Sequence, residues 1–117
     1  MDLHAAQIQG FFRVPVDDLY ALPVLCNAVQ SKALENLIVV SPDTGFAKQA
    51  RKYATYMGVD LAIGDKERVA HDEQVQVMEI IGEVQGRTAL VVDDFTISGG
   101  TLVDVAEKLM QRGAREV

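Results

Sequence analysis

The sequence predicts an α/β domain built on a mostly parallel sheet flanked by helices. Two stretches carry that expectation. Leu37-Ile38-Val39-Val40 is a short continuous apolar run, as in a strand covered on both faces. A helical pattern and a second apolar strand follow it, which makes a right-handed βαβ unit. Thr88 to Val92 is another buried strand, followed after a glycine-containing loop by an amphipathic helix.

In chain order, Pro23 sits at the first position of a helix reaching about Leu34. The 37–40 strand ends in the turn-forming cluster Ser41-Pro42-Asp43-Thr44-Gly45. The next helix carries Phe46, Ala50, Tyr53, Ala54 and Met57 on one face and ends at Gly58. Leu61-Ala62-Ile63 is the following strand. Residues 65–74 are polar and nearly continuous in charge, and read as a loop. Val75 to Val84 alternates weakly and reads as a strand or a hairpin arm. The last helix runs from about Gly100 to Arg112, with Leu102, Val105, Ala106 and Leu109 at i, i+3, i+4 and i+7 and Gly113 as its cap.

A chain of 117 residues is one small domain. With 49% hydrophobic and 24% charged residues it has the composition of a folded protein. A net charge of −6 argues against nucleic-acid or anionic-membrane binding and suits a protein that gathers divalent cations. The single cysteine, Cys26, excludes an internal disulfide framework and fits a reducing, cytoplasmic setting. No apolar run approaches the roughly 20 residues of a membrane span. Both ends look abrupt. Met1-Asp2-Leu3-His4 has no element to support it, and Arg115-Glu116-Val117 reads as a strand just beginning. The expected fold is therefore incomplete at both ends.

Open α/β sheets bind ligands at the carboxyl ends of their strands. The Thr88–Val92 strand ends in Asp93-Asp94, followed by Phe95-Thr96-Ile97-Ser98-Gly99-Gly100-Thr101. Gly99 and Gly100 allow a tight turn and a close anion. The N–H groups of Ser98 to Thr101 and the positive end of the helix make phosphate the natural guest. The two carboxylates would repel that phosphate unless they hold sugar hydroxyls or magnesium, so a ribose 5-phosphate satisfies both halves of the loop. A capped turn with solvated acids is the alternative.

Three further constellations stand out. Asp2 and His4 lie two apart and share a side of an extended chain, where they bind a cation or nucleotide together or simply close a turn. Asp17 and Asp18 are a helix cap or ligands. Asp43 lies at the binding edge of the sheet, although on chemistry alone a helix N-cap is the better reading. Lys66 and Arg68 flank Glu67 in the polar stretch; such a pair could close over phosphates and neutralise phosphoryl charge, or be an exposed charged run.

Taken together, these pieces resemble the phosphoribosyl pyrophosphate synthetase (ribose-phosphate pyrophosphokinase) family. The stretch Asp2–Asp17 (DLHAAQIQGFFRVPVD) is similar to that family's signature almost residue for residue, and VVSPDTG, DKER and VVDDFTISGGTL follow in the family's order. The resemblance implies a type I phosphoribosyltransferase-like fold without the N-terminal domain that supplies much of the ATP site. It implies transfer of diphosphate from ATP to the 1-hydroxyl of ribose 5-phosphate, with Mg2+. By position, Lys66 is the catalytic lysine and Arg68 its partner. His4, Asp43, Asp2 and Asp17 are the metal-associated set. Asp93 and Asp94 hold ribose hydroxyls, and Ile97, Ser98, Gly99, Gly100 and Thr101 form the 5-phosphate loop. Two departures stand inside the motifs: Arg13 and Ile97 each replace an acidic residue of the common pattern. The expected partners are ATP, ribose 5-phosphate, and either copies of the chain or longer family subunits docked on its exposed edges. A ribose-5-phosphate or phosphoribosyl pyrophosphate binding module without turnover, and a small phosphoribosyltransferase, are the competing functions.

Overall fold

The computed structural model describes residues 3–68 and 76–117. A short 3₁₀ segment, Ala6–Phe11, precedes α1 (Leu22–Gln30), β1 (Leu37–Ser41), α2 (Ala47–Met57), β2 (Asp60–Arg68), β3 (Gln76–Ile81), β4 (Thr88–Val91) and α3 (Gly100–Gln111). The sheet order is β3-β2-β1-β4. β1 pairs in parallel with both β2 and β4, and β3 runs antiparallel to β2. The mixed but mostly parallel sheet flanked by helices is therefore the architecture the sequence predicts.

The alternation of side chains along β1 builds two apolar layers. Ile38 and Val40 face one way and pack with Ala62, Ile80, Ala89, Val105 and Leu109, which seats α3. Val39 faces the other way and packs with Cys26, Ala50, Tyr53 and Ala54 from α1 and α2. All of these side chains are buried. Gly58 caps α2 in the left-handed conformation, as its position in the sequence predicts.

Two boundaries and one additional element differ from the sequence reading. α1 stops at Gln30, short of Leu34. Ala33 and Asn36 take positive φ values of 49° and 51° in the turn that follows, which a helix cannot accommodate. The polar stretch taken for a loop from residue 65 continues β2 through Arg68, paired with β3 from Ile63↔Ile81 to Arg68↔Gln76. Backbone pairing at a sheet edge tolerates polar side chains, so a run of charge does not by itself mark a loop. The remainder of that stretch, 69–75, lies outside the described residues. The 3₁₀ segment is an element the sequence reading did not predict, and none of its residues is buried.

Candidate functional site

The carboxyl ends of β1 and β4 lie side by side, because the two strands are parallel neighbours. Their following loops therefore open on the same edge of the sheet, where ligands of such folds bind. The β1 loop is fixed from beneath. Ser41 is fully buried and its hydroxyl donates to Asp43 O at 2.7 Å. Asp43 Oδ1 accepts the Phe46 N–H at 2.8 Å, so its carboxylate holds the entry to α2. Gly64 in β2 allows this loop to pass closely, since a Cβ there would lie 2.6 Å from Pro42 O.

The β4 loop begins with Val92, whose N–H still donates to Val40 O at 3.0 Å. Asp93 Oδ1 accepts the Asp94 N–H and Asp94 Oδ1 accepts the Phe95 N–H, each at 2.9 Å. Asp93 opens to solvent along one side. The loss of water on its other side raises its carboxyl above the usual value, and the negative charges of Asp94 and Asp43 add to that rise. The Asp94 N–H hydrogen bond opposes it.

His4 meets Asp94 across 90 residues of chain, Nδ1 to Oδ2 at 2.5 Å. The Asp94 side chain is only 13% exposed, whereas that of His4 is 70% exposed. The His4 ring also stands edge-on to Phe95, with centroids 5.4 Å apart.

Further along the loop, Gly99 takes φ 77°, a left-handed turn that glycine adopts without strain. Its N–H donates to Thr96 Oγ1 at 2.9 Å, and the Gly100 N–H donates to Ser98 Oγ at 3.4 Å. Two donors of the expected cradle are thus held by the loop's own hydroxyls. A phosphate oxygen could replace each hydroxyl without leaving an N–H unpaired. Ile97 is 93% exposed and contributes no side-chain anchor.

His4, Asp43, Asp93 and Asp94 line one cavity of about 730 Å³. Tyr20, Phe46, Lys52 and Tyr53 share its walls. Lys66 stands apart, with its Nζ 3.5 Å from Asp104 Oδ2 in α3. Arg68 ends β2, and its side chain lies outside the described part of the structure, as does Asp2. Asp17 is exposed in the irregular segment before α1. Among the described residues no three His, Cys, Asp or Glu side chains gather closely enough to hold a metal ion by themselves.

The chain matches the phosphoribosyl transferase domain model over residues 24–117. It belongs to that family. Along its whole length it is 51% identical to a ribose-phosphate pyrophosphokinase of Ralstonia nicotianae and 50% identical to one of Neisseria meningitidis. It spans 37% and 36%, respectively, of those two proteins. The crystal structure of phosphoribosylpyrophosphate synthetase from Mycobacterium smegmatis superposes with a TM-score of 0.85 at 36% identity, over 97% of this chain and 36% of that one. A purine phosphoribosyltransferase from Pyrococcus horikoshii shares the fold, with a TM-score of 0.64 at 23% identity over 82% of this chain and 64% of that one.

Within this phosphoribosyl transferase domain, sequence reasoning missed three features. It paired His4 with Asp2 and had no signal for the contact with Asp94, because nothing local links residues 90 apart. It read Phe46 and Tyr53 only as a helix face, although both also wall the cavity. It did not single out Asp104, the ion-pair partner of Lys66.

Proposed function

We propose that this chain carries the ribose 5-phosphate and diphosphoryl-transfer part of a ribose-phosphate diphosphokinase. One observation carries the reading. The Asp93–Thr101 loop and the Asp43 loop open together at the carboxyl ends of neighbouring parallel strands. Asp93 and Asp94 bind the ribose hydroxyls, and residues Ile97 to Thr101 receive the 5-phosphate on backbone N–H groups and the N-terminus of α3. The 1-hydroxyl attacks the β-phosphorus of ATP and loses its proton to water. The bond from that phosphorus to the bridging α-oxygen breaks, and AMP leaves. Lys66 and Arg68 neutralise charge on the transferring group, so catalysis is positioning plus electrostatics.

The residues fit magnesium held in the usual way, by one or two carboxylates together with substrate phosphates. The like charges of Asp43, Asp93 and Asp94 crowd one another, which a cation would relieve. Asp43 would hold it, with Asp2 and Asp17 as the further carboxylates of the proposed set. His4 acts mainly through Asp94, since imidazole is a poor partner for so hard a cation. Magnesium bound there would draw charge from the phosphoryl oxygens.

Partner chains belong to the same proposal. Phe11 is 87% exposed, Leu19 73% and Val24 71%, apolar side chains that a second copy or a longer family subunit would cover. The acidic charge fits neither nucleic acid nor anionic membrane, and no described helix is long and apolar enough to cross a membrane. The cytoplasm, where ATP is plentiful, is the expected compartment.

The test has two arms. Calorimetry with ribose 5-phosphate should show binding that Asp93→Ala weakens about tenfold or more; unchanged binding sinks the loop assignment. AMP release from ATP, magnesium and ribose 5-phosphate should fall by about 10² or more in Lys66→Ala. Binding without AMP release would make this chain a binding module.

A further inference from the structure

Asp104, Lys108 and Arg112 are spaced four apart and form one stripe along α3. The β2–β3 hairpin lays the opposite charges on that stripe. Lys66 Nζ lies 3.5 Å from Asp104 Oδ2. Glu79 Oε1 lies 3.1 Å from Lys108 Nζ, and its Oε2 lies 3.5 Å from Arg112. Sliding the hairpin by one helical turn would bring Lys66 against Lys108, so the charge order agrees with the position that sheet pairing gives the hairpin. Lys66 is thereby held on the amino-terminal part of α3.

That part of the helix is where the phosphate loop ends. Asp104 is three residues past Thr101, on the same side of the helix about one turn away. Asp104 lies just beyond the first turn of α3, which itself carries no acidic residue. A phosphate arriving at the same end would meet the Asp104 carboxylate as a like charge. Lys66 bridges that conflict, because its ammonium can neutralise the carboxylate or the arriving phosphoryl oxygens.

We propose that Asp104 is a positioning residue: it is the resting partner of Lys66, holding the ammonium beside the phosphate loop until a diphosphoryl ligand takes it over. The proposal rests on the reading of Lys66 as the lysine that contacts the diphosphoryl group. Asp104 does not touch the reacting atoms. It limits the freedom of a long side chain and sets a small cost that the ligand must overcome.

Two measurements test it on this chain. The first is a double-mutant cycle in urea unfolding with Asp104→Asn, Lys66→Met and the double variant. An exposed pair of this kind should couple by about 2- to 5-fold in the unfolding constant at low salt. The coupling should shrink at high salt and survive in Asp104→Glu. Absence of coupling overturns the proposal.

The second is calorimetry with magnesium pyrophosphate. Asp104→Asn should tighten binding about 2- to 5-fold when Lys66 is present and by less than half that factor in Lys66→Met. An equal gain in both backgrounds means that Asp104 acts only as a repulsive charge, and overturns the proposal. Pyrophosphate affinity indifferent to Lys66→Met overturns instead the reading of Lys66 beneath it, while the unfolding cycle still reports the contact.

Discussion

The loops after β1 and β4 leave adjacent strands at the same edge of the sheet, yet they are built differently. The β1 loop is anchored to the fold. Ser41 is buried beneath it, the Asp43 carboxylate holds the entry to α2, and Gly64 lets Pro42 pass within van der Waals range. Apart from the His4 contacts with Asp94 and Phe95, the β4 loop is held by its own atoms. Asp93, Asp94, Thr96 and Ser98 accept backbone N–H groups one to three residues away, and Ile97 projects into solvent. The first loop doubles as scaffold, so changing it disturbs folding. On the proposed function the second serves mainly as a receptor, so changing it should disturb binding with little effect on stability.

The largest effect expected from this difference is at Gly64. In Gly64→Ala the new methyl meets Pro42 O at 2.6 Å, a backbone atom that cannot rotate aside. Overpacking of this kind costs about 1–3 kcal/mol. Gly99→Ala in the other loop meets nothing within 4 Å and bears only the strain of φ 77°. That strain costs about 1 kcal/mol, at the lower end of the left-handed penalty. Urea unfolding of the two variants gives the order directly. A Gly64→Ala protein as stable as wild type would mean that the β1 loop is not buttressed.

Next comes Asp43. Asp43→Ala removes the acceptor for the Phe46 N–H and should cost about 1 kcal/mol, as for the loss of a helix cap. Asp43→Asn keeps an acceptor oxygen and should unfold like wild type, yet lose affinity for magnesium pyrophosphate with the charge. The pair of variants separates the two duties of one side chain. Equal stability of both would show that the hydrogen bond contributes nothing.

The same difference explains what could be read in the sequence. The sheet was legible because Leu37–Val40 and Thr88–Val92 are continuous apolar runs, and α2 and α3 because their apolar residues repeat at helical spacing before Gly58 and Gly113. The β4 loop was legible for the opposite reason. Its hydrogen bonds are local, so Asp-Asp and Gly-Gly-Thr at fixed offsets from a strand already describe a tight, self-bonded turn. What stayed hidden depends on distant residues. His4 on Asp94 and Lys66 on Asp104 are contacts across tens of residues, made by the fold rather than by spacing. The strand character of 65–68 was hidden by its charge, because pairing with β3 is a backbone property.

The smallest expected effect is at Asp93, and its sign is the sharper test. Burial raises the Asp93 carboxyl in the folded chain, with Asp94 and Asp43 adding negative charge beside it. His4 sits on Asp94 rather than on Asp93. A carboxyl raised on folding favours the native state fully only below its unfolded pKa of about 3.9. That contribution is lost as pH rises through the higher folded value. At neutral pH Asp93 therefore works against stability. Asp93→Asn, which keeps an oxygen for the Asp94 N–H, should be more stable than wild type at pH 7 by up to about 0.5 kcal/mol. The advantage should fade as the pH approaches 3. Urea unfolding across that range, with a chelator present, reads it out. A variant less stable at pH 7 would mean that a partner favours the carboxylate, and the β4 loop would then be scaffold like its neighbour. A more stable variant that binds ribose 5-phosphate poorly would mean that Asp93 sits in this loop at a cost to the fold, for the sake of the ligand.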